Sequence, residues 1–190
     1  LAYHRSHFNY FDSITDESAY PKICTQLPMY NEKAVAERLI QSVVAFDYPK
    51  SKHHIQILDD STDETSALID VLVEKHRAQG FNIEAIRREI RSGFKAGALK
   101  YGLTKTTAEY VAIFDDDTIP APQWFDLCLR TMDEINDGII GGAGVRLKNN
   151  RTYEPHDKIG WNANPPSKTT ENIACLAKKH TPAQTETPTQ

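Results

Sequence analysis

Short apolar runs alternate with helical patterns along most of the chain. Residues of strand type occupy 21–27, 54–58, 81–86, 110–114 and 138–142. Between these runs, apolar residues recur at spacings of three and four, as they do on one face of a helix. Leu39 and Val43 follow this spacing in the first helix, and Leu68, Val71 and Leu72 are predicted to face inward in the second. Strands that alternate with helices predict an α/β fold with a mostly parallel central sheet.

Turn and cap residues predict where these elements begin and end. Pro28 is expected to end the first strand, because proline cannot donate to a strand ladder. Ser61 and Glu64 have the spacing of a capping box and predict the start of the second helix. From Asn149 the sequence becomes polar and irregular, and its last ten residues are nearly free of apolar side chains. We therefore expect an N-terminal arm over 1–20, one domain over 21–148, and an irregular segment with a disordered tail over 149–190.

Composition and charge narrow the classes of function. The 190 residues suffice for one domain with a sizeable core. The net charge of −4, without a basic stripe, argues against a nucleic-acid partner. Cys24, Cys128 and Cys175 are far apart in sequence, so they predict neither a zinc site nor a disulfide framework and fit a cytoplasmic location.

The N-terminal residues suggest a setting beside a membrane. The chain opens on Leu1, and residues 1–11 mix aromatic side chains with histidine and arginine, as the interfacial flanks of membrane helices do. No apolar run approaches the length of about 18 residues that a spanning helix needs. We expect the chain to be a piece of a longer protein, with possible membrane segments outside this chain and a location at the cytoplasmic face.

Polar and acidic side chains follow three of the predicted strands. In an open parallel sheet, ligands bind at the carboxyl ends of the strands. Three adjacent carboxylates repel one another, so a cation, hydrogen bonds or proton uptake must offset the cost. Oxygen ligands favour Mg²⁺ or Mn²⁺, which bind through one or two carboxylates and substrate phosphates. A solvated acidic turn at 115–117 remains an open alternative, as does a structural role for Asp59 as a helix N-terminal anion or Asx-turn residue, with Ser61 or Asp63 as the cap. The polar and acidic side chains that follow the three strands are Tyr30, Asn31 and Glu32, then Asp59 and Asp60, and then Asp115, Asp116 and Asp117.

A basic segment before the third helix supplies the complementary charge. Arg91 and Lys95 flank Gly93, which permits close backbone approach. A helix N-terminus favours phosphate oxygens, and the two basic side chains can meet a diphosphate. The acids, a cation and this segment together predict a metal–diphosphate substrate.

Four motifs, at 28–32, 58–63, 95–99 and 114–117, resemble the processive family 2 glycosyltransferases of GT-A fold, particularly cellulose-synthase-like and glucomannan-synthase-like enzymes. The resemblance covers roughly 21–147. It implies that a nucleotide base stacks on Tyr30 and that Glu32 and Asp60 hold base or ribose, with Asp59 and Arg91 as further nucleotide-sugar contacts. It also implies that Lys95 contacts the diphosphate or the donor sugar. The metal ligands would be Asp115 and Asp117, with Asp115 and Asp116 also near the donor.

The sequence departs from this family in its second half. Neither a Thr-Glu-Asp-like motif nor a Gln-x-x-Arg-Trp motif is present. The acids after Leu147 lie in no recognisable setting, so the catalytic base is unassigned. These acids are Glu154, Asp157, Glu171 and Glu186.

The leading interpretation is a glycosyltransferase domain that uses Mg²⁺ or Mn²⁺. It would transfer a sugar, with inversion, from a UDP- or GDP-sugar to a glycan or lipid-linked acceptor. One alternative is a non-catalytic domain that binds a nucleotide sugar. Another is a sugar nucleotidyltransferase, because residues 142–147 match a Gly-x-Gly-x-Arg-Leu signature of that class.

Overall fold

A computed structural model describes residues 16–115, 119–135, 139–141 and 174–178, with side chains for 16–115 and 119–129. Most of the predicted N-terminal arm, the two acids Asp116 and Asp117, and the signature at 142–147 lie outside the described residues. Among the described residues, no helix is long and apolar enough to cross a membrane.

Six strands and four helices form the described part of the chain. The predicted alternation of strands and helices is confirmed from the first strand to the fifth. The strands are β1 (Ile23–Met29), β2 (His53–Asp59), β3 (Asn82–Ile86), β4 (Tyr110–Phe114), β5 (Ile139–Gly141) and β6 (Ala174–Lys178). The helices are α1 (Lys33–Val44), α2 (Thr65–Ala78), α3 (Phe94–Leu103) and α4 (Trp124–Ile135).

All six strands belong to one sheet, in the order β3-β2-β1-β4-β6-β5. The first four strands pair in parallel, so their carboxyl ends lie along one edge. β6 runs antiparallel between β4 and β5. This strand corrects the expectation of an irregular segment over 149–190. The run Ala174–Lys178 is short, and long-range pairing with β4 defines it as a strand.

Three further expectations from the sequence are wrong. β1 continues through Pro28, which is tolerated because the pairing of β1 with β4 ends at Gln26. Val71 is 66% exposed, whereas Leu72 is buried as predicted, and the buried residues of α2 are Thr65, Ile69, Leu72, Val73 and His76. The capping box does not form, because Thr65 N–H donates to Asp63 while Ser61 is used by another loop.

The core lies mainly on one face of the sheet. On that face α1, α2 and α4 cover side chains of β1, β2, β3 and β4, including Leu27, Ile57 and Phe114. The opposite face is covered by α3, which packs Ala98 and Leu99 against Leu58, Ile86 and Ile113.

Helix α3 approaches the sheet closely at Gly102. A Cβ at this position would lie 2.5 Å from Gln26 Nε2 and 2.8 Å from Leu58 Cδ2. Gln26 Nε2 donates to Gln56 Oε1 at 3.0 Å, so a buried amide pair lies directly beneath the helix. A larger residue would have to displace the ends of these side chains, so glycine favours this close approach. The position of α3 in turn determines where its first turn meets the sheet edge.

His53, the first residue of β2, is a buried histidine outside the edge that carries the acids. Its Nε2 lies 2.8 Å from Thr25 Oγ1, and aromatic rings including Phe46, Tyr48 and Phe125 surround it. Burial, together with a smaller repulsion from His54, lowers the pKa of His53 from 6.5 to about 3. The imidazole is therefore neutral in the folded protein at every pH above that value.

We expect the stability of the fold to fall as the pH drops from about 6.5 towards 3. The unfolded chain binds a proton at residue 53 in this range and the folded chain does not. The loss is about 1.4 kcal/mol per pH unit, or about 2 kcal/mol between pH 7 and pH 5. Urea unfolding at these two pH values should show a smaller loss in His53→Gln than in the wild type. His54→Gln keeps His53 and should keep the wild-type loss. Equal losses in all three proteins would contradict the prediction.

Candidate nucleotide-sugar site at the sheet edge

Three of the predicted site segments meet at the carboxyl edge of the sheet. β1 lies between β2 and β4, so Tyr30, Asp60 and Asp115 follow adjacent parallel strands. The backbone N–H of Asp60 donates to Met29 O at 3.0 Å and extends the ladder between β1 and β2 into the loops. The sequence pattern correctly predicted this convergence, because parallel strands that share an edge bring their following residues together.

Asn31 joins the loops after β1 and β2. Its backbone N–H donates to Ser61 Oγ at 3.0 Å, and its Oδ1 accepts from the Thr62 N–H at 2.8 Å. Its φ of 57° is in the left-handed region, which asparagine tolerates better than most residues. Sequence reasoning did not assign Asn31 a role. An asparagine immediately after a strand was the available signal.

Glu32 stands at the N-cap position of α1. Its backbone carbonyl accepts from the N–H groups of Val35 and Ala36, and its side chain does not cap the helix. The carboxylate is half-buried at the same edge as Tyr30. This position is compatible with the implied contact to base or ribose, which stays a prediction.

Asp59 is buried and fully engaged by the protein. Its carboxylate accepts from the Ser61 N–H at 3.0 Å, from Ser66 Oγ at 2.7 Å and from Arg87 Nε at 2.8 Å. Burial opposes ionisation, but these hydrogen bonds outweigh it and hold the pKa of Asp59 below its usual value. Asp59 therefore secures the loop before α2. Its implied contact with the nucleotide sugar stays a prediction.

Asp60 forms a nearly buried ion pair with Arg88. Arg88 Nε donates to Asp60 Oδ1 at 3.1 Å, Nη2 donates to Oδ2, and only 9% and 7% of the two side chains are exposed. The same guanidinium donates to the carbonyls of Ser92 at 2.8 Å and Phe94 at 3.1 Å. Arg88 thus attaches the turn before α3 to the end of β2. Sequence reasoning saw a basic stretch here but did not distinguish Arg88 within it.

The turn before α3 has a backbone that few sequences permit. Gly93 and Phe94 have φ values of 70° and 47°, and the Gly97 N–H donates to Gly93 O at 2.8 Å. A Cβ on Gly97 would lie 2.0 Å from Ser92 O and 2.7 Å from Arg88 Nη1. A bulky residue at positive φ is strained, so the bonds from Arg88 hold Phe94 in this conformation.

Arg91 lies against the ring that is predicted to receive the base. Its guanidinium carbon is 3.4 Å from the Tyr30 ring centroid and 5.2 Å from that of Phe94. Its Nε is 3.7 Å from Asp60 Oδ2. The structure therefore brings Tyr30, Asp60 and Arg91 together, with Arg91 on the Tyr30 ring. The predicted contact of Arg91 with a diphosphate stays a prediction.

Lys95 and Asp115 form an ion pair between the first turn of α3 and the end of β4. Lys95 Nζ contacts Asp115 Oδ2, with 30% and 27% of the side chains exposed. The described residues contain no cluster of three or more possible metal ligands. The predicted partners Asp116 and Asp117 lie outside them. Asp115 is thus the predicted metal ligand that the structure places, at the same edge as Tyr30 and Asp60.

Comparison with known proteins gives this site its family. A sequence model of the family described as Glycosyl transferase family 2 matches residues 26–184, which is most of the chain. The chain belongs to glycosyl transferase family 2. The match includes β6, so this family domain extends beyond the boundary at 148 that the sequence pattern suggested.

Plant enzymes are among the relatives of this family 2 chain. It is 40% identical over 109 residues to probable glucomannan 4-beta-mannosyltransferase 1 of Arabidopsis thaliana, covering 55% of this chain and 20% of that protein. It is 42% identical over 118 residues to probable glucomannan 4-beta-mannosyltransferase 7 of Oryza sativa subsp. japonica, covering 60% and 20%. The chain therefore spans about a fifth of the length of these curated relatives.

Solved structures show the same fold. The mannosyltransferase PcManGT from Pyrobaculum calidifontis, in complex with GDP-Man and Mn²⁺, is 27% identical with a TM-score of 0.58 and covers 65% of this chain and 36% of its own. S. aureus TarS in complex with UDP-GlcNAc is 24% identical with a TM-score of 0.54 and covers 62% and 33%. The predicted GT-A fold is confirmed.

We predict that the Arg88 pair stabilises the fold much more than an exposed pair does. Arg88→Met leaves the Asp60 carboxylate buried without its main partner, which should cost about 3–5 kcal/mol in the free energy of unfolding. Lys33→Met removes one partner of the exposed Lys33–Glu64 pair and should cost little. Denaturant unfolding of both variants tests this. Similar losses would show that Asp60 and Arg88 are not energetically coupled.

Proposed function

We propose that this chain is the donor-binding part of a glycosyltransferase that takes mannose from GDP-mannose. The observation that carries the proposal is the meeting of Tyr30, Asp60 and Asp115 at one sheet edge, with Lys95 at the adjoining helix start. The names of the plant relatives and of PcManGT support a mannosyl donor, and the GDP-Man complex of PcManGT supports guanine as the base. A UDP-sugar is the other donor that the sequence predicts.

The described residues fit a hard divalent cation. Asp115 presents a partly exposed carboxylate that already holds a positive charge, the Lys95 ammonium. Oxygen ligands of this kind suit Mn²⁺ or Mg²⁺, which retain waters and bind together with substrate phosphates. The Mn²⁺ in the PcManGT complex supports the same choice. Asp115 would hold the ion, with Asp117 proposed as its second ligand.

Each side chain at the edge has a distinct role in this proposal. Tyr30 offers its ring to the base, and Asp60 and Glu32 accept hydrogen bonds from base or ribose. Lys95, at the start of α3, meets the diphosphate, whose leaving charge also benefits from the helix N-terminus. A bound divalent ion supplies further neutralisation of the diphosphate as it leaves.

The acceptor side of the proposal rests on the relatives. These relatives are named as glucomannan 4-beta-mannosyltransferases, so a glycan is the proposed acceptor and a lipid-linked sugar the second choice. Transfer with inversion needs a base that removes the proton of the acceptor hydroxyl. The described aspartates at the sheet edge, Asp59, Asp60 and Asp115, each contact a basic side chain, so we assign none of them as this base. We propose a location at the cytoplasmic face of a membrane, as suggested by the composition of residues 1–11.

The donor assignment predicts metal-dependent binding of a nucleoside diphosphate. Calorimetric titration of GDP and UDP, with Mn²⁺ and then with a chelator, should give a higher affinity with the metal and a preference for GDP. Asp115→Asn should abolish the metal effect, because it removes a ligand charge from a hard-cation site. Asp47→Asn, at an exposed aspartate after α1, serves as the control. Equal affinity with metal and with chelator would refute the proposed function.

The role of Tyr30 predicts a loss that is specific to the base. Tyr30→Ala should weaken GDP binding by about fivefold to 150-fold, the equivalent of the 1–3 kcal/mol that a base–aromatic stack contributes. Binding of inorganic diphosphate with Mn²⁺ should be unchanged. Tyr101→Ala removes another exposed aromatic ring, on α3, and should affect neither ligand. Parallel losses for GDP and diphosphate would show that Tyr30 shapes the loop and does not stack on the base.

A further inference from the structure

The Lys95–Asp115 pair differs from the other ion pairs at the sheet edge. Asp59 and Asp60 are 0% and 7% exposed in their side chains. Asp59 accepts one hydrogen bond from Arg87 and others from Ser61 and Ser66, and Asp60 accepts two from Arg88. Lys95 and Asp115 are 30% and 27% exposed and meet through one ammonium and one carboxylate oxygen. A compact ammonium on a flexible stem can leave such a pair at little cost, whereas a buried guanidinium cannot.

We propose, on the basis of the proposed function, that Lys95 is the resident counter-cation of Asp115 in the donor-free protein. A divalent metal and the Lys95 ammonium then compete for the same carboxylate. Binding of the metal with the donor transfers the ammonium from Asp115 to the diphosphate. Lys95 thereby makes metal binding depend on the presence of the donor.

The metal and the Lys95 ammonium compete because both would bind the same small carboxylate group. A metal on Asp115 and an ammonium on the same group would stand only a few ångströms apart, where like charges repel strongly in a partly desolvated site. The diphosphate removes this conflict, because it offers the ammonium new oxygen partners within reach of the start of α3. Metal and nucleoside diphosphate should therefore bind with positive coupling, and by linkage each should raise the affinity of the other by the same factor.

The first experiment measures Mn²⁺ binding without any nucleotide, by electron paramagnetic resonance of the free ion. Lys95→Met should bind Mn²⁺ about fivefold more tightly than the wild type, the size expected for loss of a partly exposed ion pair. Lys95→Arg keeps the charge and should not tighten binding. Lys100→Met removes the same charge from an exposed position one and a half turns further along α3 and serves as the matched control.

Two results of this experiment would overturn the inference. One is an Mn²⁺ affinity of Lys95→Met no higher than that of the wild type. The other is an equal gain in Lys100→Met, which would reflect overall charge and not the contact with Asp115. A second titration adds GDP, and the factor by which GDP raises Mn²⁺ affinity should be smaller in Lys95→Met than in the wild type.

A measurement on the wild-type chain tests the same exchange without a variant. Reductive methylation followed by peptide mass spectrometry reports how readily each lysine reacts. Mn²⁺ alone should increase the labelling of Lys95, and further addition of GDP should decrease it, while Lys100 provides the internal reference. Unchanged labelling of Lys95 on addition of Mn²⁺ would overturn the inference.

The two proposals can fail separately. If Mn²⁺ behaves as expected but neither GDP nor UDP binds, the proposed function is wrong and the competition at Asp115 stands. If nucleotides bind with metal dependence but Lys95→Met does not tighten Mn²⁺ binding, the donor site stands and the exchange is wrong.

Discussion

The ion pair between Asp60 and Arg88 is the interaction on which the donor side of the structure depends. Arg88 donates hydrogen bonds to the Asp60 carboxylate and to the carbonyls of Ser92 and Phe94. One buried cation therefore joins the end of β2 to the turn before α3. That turn contains two successive residues at positive φ, a strained backbone that the hydrogen bonds from Arg88 help to hold in place. The start of α3, and with it Lys95, is therefore positioned by a charge at the neighbouring strand end.

The sheet edge gathers acids, and the chain neutralises them from a single segment. The three described aspartates at the edge each contact a basic side chain between residues 87 and 95. Converging carboxylates would otherwise repel one another or take up protons. Supplying the countercharges from one segment ties that segment to the ends of β2 and β4. In this arrangement each of the three aspartates has a basic partner. Under the proposed exchange, a metal and a diphosphate would replace the contact between Lys95 and Asp115.

Sequence patterns predicted the sheet and the convergence of the candidate site residues at one edge, but not which side chains pair there. Strand composition and helical spacing are local properties, so the alternation from β1 to β5 and the acids at the strand ends could be read directly. The partner of Asp60 could not be predicted in this way. Arg87, Arg88 and Arg91 are the same residue type and differ only in where the turn directs their side chains. β6 was missed for a related reason. Its strand character comes from pairing with β4 across a long separation in sequence, and the residues around it are polar.

Burial separates the ion pairs at the edge that stay intact from those that can exchange partners. Breaking a pair such as Asp60 and Arg88 would leave a charge in a site that water barely reaches, which costs more than a ligand contact usually returns. The pair of Lys95 and Asp115 is partly solvated, so its separation is compensated by water and by new partners. Arg91 is intermediate, with a stacked guanidinium and a 3.7 Å approach to Asp60. The side chains that can exchange partners are thus the more exposed Lys95 and Asp115, although Lys95 directly follows Phe94, which Arg88 holds.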